Sequence, residues 1–278
     1  MARKLFCEIS PLTYKISTQK CIALRRLKDL RGDANFSETK ENIQLPVSVY
    51  RHNSLIRRKL GNVDLHLQEN KAVNLALAAP LLNGIIISPG ETFSLWHLIG
   101  NCNEKKGYLL GLTITKNGPG QGIGGGMCQM SNLIHWLVLH SPLTIVEHHH
   151  HNGVDLFPDF NRQVPFGVGT SILYNYLDYR VRNNTADTYQ LIVFTDEEYL
   201  HGELRCNAEQ KVGFHIRAEE EYFSFENGVY FRNNVITRKA VNKTTGEQIT
   251  KEVIMLNHAK VMYDEEFVDK SKLRVIAG

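Results

Sequence analysis

Asn117-Gly118-Pro119-Gly120-Gln121-Gly122-Ile123-Gly124-Gly125-Gly126-Met127-Cys128-Gln129-Met130-Ser131 is the most unusual passage of this chain. Six of the nine positions from 118 to 126 are glycine, a run so free in φ that it predicts an irregular loop. The next stretch is the opposite. Met130, Leu133, Ile134, Leu137 and Val138 recur at i, i+3, i+4 and i+7 spacing, which predicts a helix over 128–140, ended by Ser141-Pro142. Cys128 therefore opens a helix directly beneath a glycine loop. Unpaired N–H groups and the positive end of the helix dipole stabilise a thiolate there. The glycines let a substrate backbone come close.

Working outward, Leu109–Thr115 is apolar and β-branched and reads as a strand. Ile85–Ile87 is a short buried strand closed by Pro89-Gly90. Asn70–Asn83 reads as a helix with Val73, Leu75, Leu77 and Leu81 as its apolar positions and Pro80 at a kink or late turn. After the Cys128 helix, Leu143–Val146 is a strand that runs into Glu147, His148, His149, His150 and His151. The pattern then changes. Gly167–Arg182 and Tyr189–Phe194 alternate and read as long antiparallel strands. Lys211–Arg217, Tyr222–Ser224, Val229–Arg238 and Gln248–Met255 come after them as strands, with Asn227-Gly228 and Thr245-Gly246 as hairpin turns. The fold class is α+β: a helix-opening cysteine packed on an antiparallel sheet, with a β-rich C-terminal part. The divisions expected are an N-terminal helical extension over 1–45, a central domain over 46–205 and the β-rich region over 206–278.

With 278 residues, 42% hydrophobic and 22% charged, the chain has ordinary globular composition and can bury a sizeable core. A net charge of +3 without an aromatic-interleaved basic patch argues against nucleic acid as a partner. Five cysteines, an odd number with no C-x-x-C pair, argue against a disulfide framework or a zinc ribbon, and four of them read as small buried apolar residues. Met1–Ser10 lacks the apolar core of a signal peptide, and stretches such as Leu81–Ile87 are too short to span a bilayer, so the expectation is a soluble, cytoplasmic protein. In the extension, Ile16, Ile22, Leu24, Leu27 and Leu30 interleave with Lys20, Arg25, Arg26, Lys28 and Arg31. That is a helix with one packed and one solvated face; weak contact with a membrane surface is the second reading.

A nucleophilic cysteine needs a base, and the histidine run arrives at the end of the next strand. The order is similar to papain-like hydrolases and transglutaminase-like domains. His149 or His151 would serve as base, and Asp155, Asp159 or Asn161 would orient it. Gln129 or Gln121 would help hold an oxyanion. Alternatively, Cys128 fills a tight packing site under the glycines. On a strand, His149 and His151 share one face and His148 and His150 the other. One such face with Cys128 could hold zinc, but the run lacks a recognised ligand spacing, and no metal or cofactor is predicted. Gly120-Gln121-Gly122-Ile123-Gly124-Gly125 also fits G-x-G-x-x-G. The glycines continue to Gly126 and the chain then turns antiparallel, so a dinucleotide site is not adopted.

At these residues the chain resembles VanW-type proteins. Gly124-Gly125-Gly126-Met127-Cys128-Gln129-Met130-Ser131 matches their G-G-G-x-C-Q-x-S signature, and Pro89-Gly90-Glu91-Thr92-Phe93-Ser94 their P-G-E-x-F-S segment. Glu147–His151, Phe157-Pro158-Asp159, Pro165-Phe166-Gly167 and Tyr174-Asn175-Tyr176-Leu177-Asp178 continue the match, which covers roughly residues 55–205 in order. The resemblance implies an accessory protein associated with B-type vancomycin resistance, and supports Cys128, Gln129, His149, His151 and Asp159 as members of a shared site. The residues add two readings. One is a cysteine-dependent hydrolase or acyltransferase acting on an amide or ester such as a cell-wall precursor. The other is a non-catalytic accessory protein that binds a ligand or partner.

Overall fold

In the computed structural model, which describes residues 5–32, 34–57, 64–115, 118–150, 153–159, 162–174 and 176–275, the helix expected over 128–140 runs Met127–Leu139. Chain order begins with helix α1 (Pro11–Arg31), strand β1 (Val47–Leu55) and helix α2 (Leu65–Leu82). β2 (Ile85–Ile87), β3 (Thr92–Ser94) and α3 (Leu95–Ile99) are next, then β4 (Leu110–Thr115), β5 (Gly118–Ile123) and α4 (Met127–Leu139). β6 (Thr144–Glu147), β7 (Val154–Asp155), β8 (Arg180–Arg182), β9 (Tyr189–Thr195) and β10 (Tyr199–Cys206) succeed them. Three long strands, β11 (Val212–Glu226), β12 (Val229–Asn242) and β13 (Gln248–Val261), and the short β14 (Leu273–Val275) complete the chain. The mixture is α+β.

The strands form a four-stranded sheet ordered β1-β10-β9-β2, a three-stranded sheet β3-β8-β6, the pair β4-β5 and a five-stranded sheet β14-β11-β12-β13-β7. Helix α4 lies between the first and the last of these. Leu133 and Leu137 press on the backbone of Gly202 in β10, while Trp136 and Leu139 pack with Ile236 of β12 and with Val168. Both sides of the helix are covered, which is why it is apolar nearly all round. Each fully buried leucine contributes about 1.5–3 kcal/mol. Helix α2 packs Leu75, Ala78 and Leu82 into the same core.

Four expectations are corrected. The glycine run is not an irregular loop: Gly118–Ile123 is β5, paired antiparallel with β4. Its glycines serve close packing of backbone on backbone, since a Cβ at Gly125 would lie 2.2 Å from the carbonyl carbon of Gly111. Residues 167–182 are not one long strand; among the described residues of this segment, only Arg180–Arg182 joins a sheet. Polar side chains and neighbouring loops take the intervening backbone groups: Asn132 Oδ1 accepts from Thr170 N at 2.7 Å, and His149 O accepts from Ser171 N at 2.7 Å. In α2 the apolar positions divide. Leu75 is buried, whereas Val73, Leu77 and Leu81 are exposed and Ala78, Ala79 and Leu82 take the inner face. In α1 only Ile22 is buried, and the face turned to the body is largely polar. The C-terminal strands are longer than the sequence indicated, and Asn227-Gly228 closes a hairpin with φ of 49° and 81°, the left-handed pair that a tight turn needs.

Candidate functional site around Cys128

The site begins with Gly126, which caps α4 at a φ of 101°. Cys128 and Gln129 are in the first turn. The Gln129 side-chain amide donates to Ser54 O, Ser54 Oγ and Leu55 O at 3.3, 2.9 and 2.9 Å, which ties the turn to β1. Ser131 and Asn132 tie its other side to Thr170. The helix start is thus fixed between a strand and the 162–174 segment.

A cavity of about 310 Å³ opens at this point, lined by Cys128, His52, His150, Phe157, Arg162 and Phe166 among others. Cys128 is half-buried in it. Burial pushes the thiol above its ordinary pKa, and a backbone hydrogen bond from Ile172 offsets this only in part. Desolvation thus works against the thiolate that a helix N-terminus would otherwise favour.

The histidine run alternates. His148 Nε2 donates to Gly169 O at 3.1 Å and its ring stacks on His135 at 4.4 Å. His150 Nε2 donates to Gly167 O, and its buried Nδ1 has no partner among the described residues. These two face α4 and its surroundings. His149 faces away: its Nε2 is 2.9 Å from Glu147 Oε1. Burial lowers the pKa of His148, and lowers that of His135 much further, with His148 and His150 adding repulsion.

Of the residues singled out from sequence, the structure brings Cys128 and Gln129 to one cavity, together with Asp155. His149, past the end of β6, points away from that cavity, onto Glu147. Burial raises the Asp159 carboxyl, but the 2.7 Å hydrogen bond from Arg232 and the charge of Arg162 overcome it and leave its pKa lowered. Burial keeps Asp155 raised; its Oδ2 accepts from Tyr263 Oη at 2.9 Å. His151 and Asn161 lie outside the described residues. Among the described residues, no three His, Cys, Asp or Glu side chains cluster as a metal would need. The imidazoles of His148, His149 and His150 are each held by a different partner, Gly169 O, Glu147 and Gly167 O, and do not converge.

The network behind His149 was not foreseen. Glu147 Oε1 accepts from His149, from Asp178 N at 3.0 Å and from Arg25 Nη1 at 3.1 Å. Asp178, fully buried, accepts from Ser94 Oγ, Trp96 N, Tyr179 N and Arg180 Nε. Arg180 then grips Asp29 of α1 through two 2.7 Å bonds. Burial raises Glu147, but hydrogen bonds from Arg25 and His149 prevail and its pKa is lowered. Two sequence signals were available: the charged Arg25 and Asp29 at i, i+4, and the acid-base alternation of Asp178-Tyr179-Arg180.

The sequence model of the VanW-like proteins matches residues 70–205, which include the cavity's helix and, of the Glu147 network, every member but Arg25 and Asp29. The vancomycin B-type resistance protein VanW of Enterococcus faecalis (strain ATCC 700802 / V583) is 36% identical over 216 residues, spanning 78% of this chain and 76% of that protein. This chain belongs to the VanW family. A second relative, the Bacillus subtilis (strain 168) protein YoaR, is 28% identical over 118 residues, 41% of this chain and 36% of its own length. No solved structure matches the chain. The VanW match begins within α2 and ends in β10, so the family segment supplies the cavity's helix, while α1 and the three long C-terminal strands lie outside it. No described helix is long and apolar enough to cross a membrane.

Proposed function

We propose that this chain is an accessory protein of glycopeptide (vancomycin-type) resistance, and that its Cys128 cavity holds a small molecule or peptide related to cell-wall precursors. The resistance context rests on the name of the Enterococcus relative. The ligand reading rests on one observation: a cavity of about 310 Å³ that joins two aromatic side chains, Phe157 and Phe166, with Arg162 and the start of α4. Apolar walls with a few convergent polar groups suit a small ligand, and the arginine and helix terminus favour one carrying a carboxylate or phosphate. In this reading Cys128, its thiol pKa pushed up by burial, is a wall of the cavity and does no covalent chemistry. All five cysteines are free thiols, which fits a reducing, cytoplasmic setting.

A second reading, a cysteine hydrolase or acyltransferase acting on an amide or ester, is favoured by His150. It shares the cavity with Cys128, and its Nε2 donates to Gly167 O while its buried Nδ1 has no hydrogen-bond partner among the described residues. Cys128 would then be the nucleophile and His150 the base, with Asp155 or Asp159 and Gln129 in supporting roles. His149 or His151 would replace His150 only if the run shifted by one residue.

One experiment separates the two: the pH dependence of iodoacetamide labelling of each cysteine, with and without a cell-wall pentapeptide. The binding reading expects Cys128 to label slowly until pH exceeds the ordinary thiol pKa of about 8.5, and more slowly still with the peptide present. Rapid labelling of Cys128 near neutral pH would establish an activated thiolate and displace that reading. Labelling unaffected by the peptide, with no peptide bound in calorimetry, would remove this ligand class.

A further inference from the structure

We propose that α1 is a membrane-surface element that lays its solvent-facing stripe on an anionic lipid bilayer. Amphipathic helices ordinarily bury the apolar face and solvate the polar one. Here the arrangement is inverted. The face turned to the body carries Arg25 and Asp29, fixed by Glu147 and Arg180. The opposite face carries Leu12, Ile16, Ala23, Leu27 and Leu30 at helical intervals, all exposed. Leu12 is 67% exposed, Ile16 50%, Leu27 42% and Leu30 83%. Leu5, Phe6 and Ile9 extend the exposed apolar surface just before the helix.

Burial energy does not hold this helix in place, because only Ile22 is buried. Its charged face does, which leaves the apolar stripe available to something else. Charge indicates what. Lys15, Lys20, Lys28 and Arg31 are exposed on α1, and Arg26 is exposed with only a 3.5 Å contact to the Tyr174 hydroxyl. The only carboxylate in α1, Asp29, is committed to Arg180, and Glu8 just upstream caps Leu5 N. An apolar stripe flanked by exposed cations that outnumber the carboxylates of the same helix is the pattern that enters the headgroup region of an anionic leaflet, with the side chains immersed and the bases at the phosphates. The ion network then holds the body, with its Cys128 cavity, at the membrane surface.

The test uses the full chain and sedimentation with vesicles of phosphatidylcholine alone or mixed with phosphatidylglycerol. Two paired variants accompany it, Leu27→Ser/Leu30→Ser and Lys20→Glu/Arg31→Glu. All four side chains are exposed, and an unchanged thermal transition confirms that each variant folds. The expected result is binding to the anionic vesicles only, weakened by salt and by about tenfold or more in either variant. Absence of binding to anionic vesicles overturns the proposal, as does equal binding to both vesicle types or binding that neither variant alters. A dimer in sedimentation velocity that Leu27→Ser/Leu30→Ser dissociates, without vesicle binding, would assign the stripe to a second copy of the chain and overturn it as well.

Discussion

Gly126 has two independent reasons to be glycine. Its φ of 101° is one that L side chains rarely adopt, and a Cβ there would lie 2.2 Å from Lys71 Cγ. Gly126→Ala is therefore expected to cost at least about 1–3 kcal/mol, since strain and displacement of Lys71 add. Urea denaturation measures it; a variant as stable as the parent would mean the α4 cap is not built this way. Gln129 makes a different argument. Its amide supplies the side-chain link between the first turn of α4 and β1, through Ser54 and Leu55. Gln129→Ala should cost about 1–2 kcal/mol and leave the carbonyl of Leu55 without that donor. It should also speed hydrogen exchange in the first turn of α4 before that in β9. Gln129→Glu tests the same bond with shape preserved: a carboxylate cannot donate to a carbonyl, so it should be at least as damaging as alanine.

At the level of elements, α1 is a helix held by charge. Arg180 meets Asp29 through two bonds of 2.7 Å at a site where both side chains are largely covered. Removing one partner of a covered pair leaves the other desolvated and unpaired, at about 3 kcal/mol or more. Asp29→Asn should therefore loosen α1 selectively. Exchange protection over residues 11–31 should fall while β9 and β10, paired in unbroken register, keep theirs. Uniform loss of protection would show instead that α1 and the sheets unfold as one unit. The same helix shows what the sequence could and could not reveal. Its existence was legible in the roughly helical spacing of Ile16, Ile22, Leu24, Leu27 and Leu30. Its orientation was not, because the face rule assumes that apolar area dominates, and a bidentate Arg180–Asp29 grip 151 residues apart in sequence prevailed instead. β5 was hidden for a related reason. Glycine propensity describes an isolated backbone, whereas Gly118–Ile123 is held by the ladder to β4 and by the approach of Gly125 to Gly111. At the site, the helix-opening Cys128 was readable from apolar periodicity. The choice among His148, His149 and His150 was not, because strand alternation fixes which residues share a face but not which face turns inward.

Across the whole molecule, the buried histidines set the pH response. His135 is 4% exposed, with its Nδ1 3.1 Å from the Tyr179 hydroxyl and its ring stacked on His148. Burial lowers the pKa of both rings below the ordinary 6.5, and burial also pushes His140 down to about 4. A histidine whose folded pKa is depressed stays neutral in the native state while the unfolded chain takes up its proton. The unfolded state thus binds more protons below pH 6.5, and stability falls as pH drops from there toward the folded values. Each such ring can contribute a slope of up to about 1.4 kcal/mol per pH unit. Glu147 and Asp159, with lowered pKa values, add to the loss only once pH falls below their ordinary 4.5 and 3.8. Asp155, whose pKa is raised, works in the opposite direction near its own range. Urea midpoints should therefore hold near pH 7.5 and decline as pH falls from about 6.5 toward 5. His135→Gln should flatten part of that decline, because an amide can still meet Tyr179 but takes up no proton in the unfolded chain. A flat profile in the parent would mean that these imidazoles reach water or bind protons in the native state. An unchanged slope in His135→Gln would transfer the effect to His148 and His140.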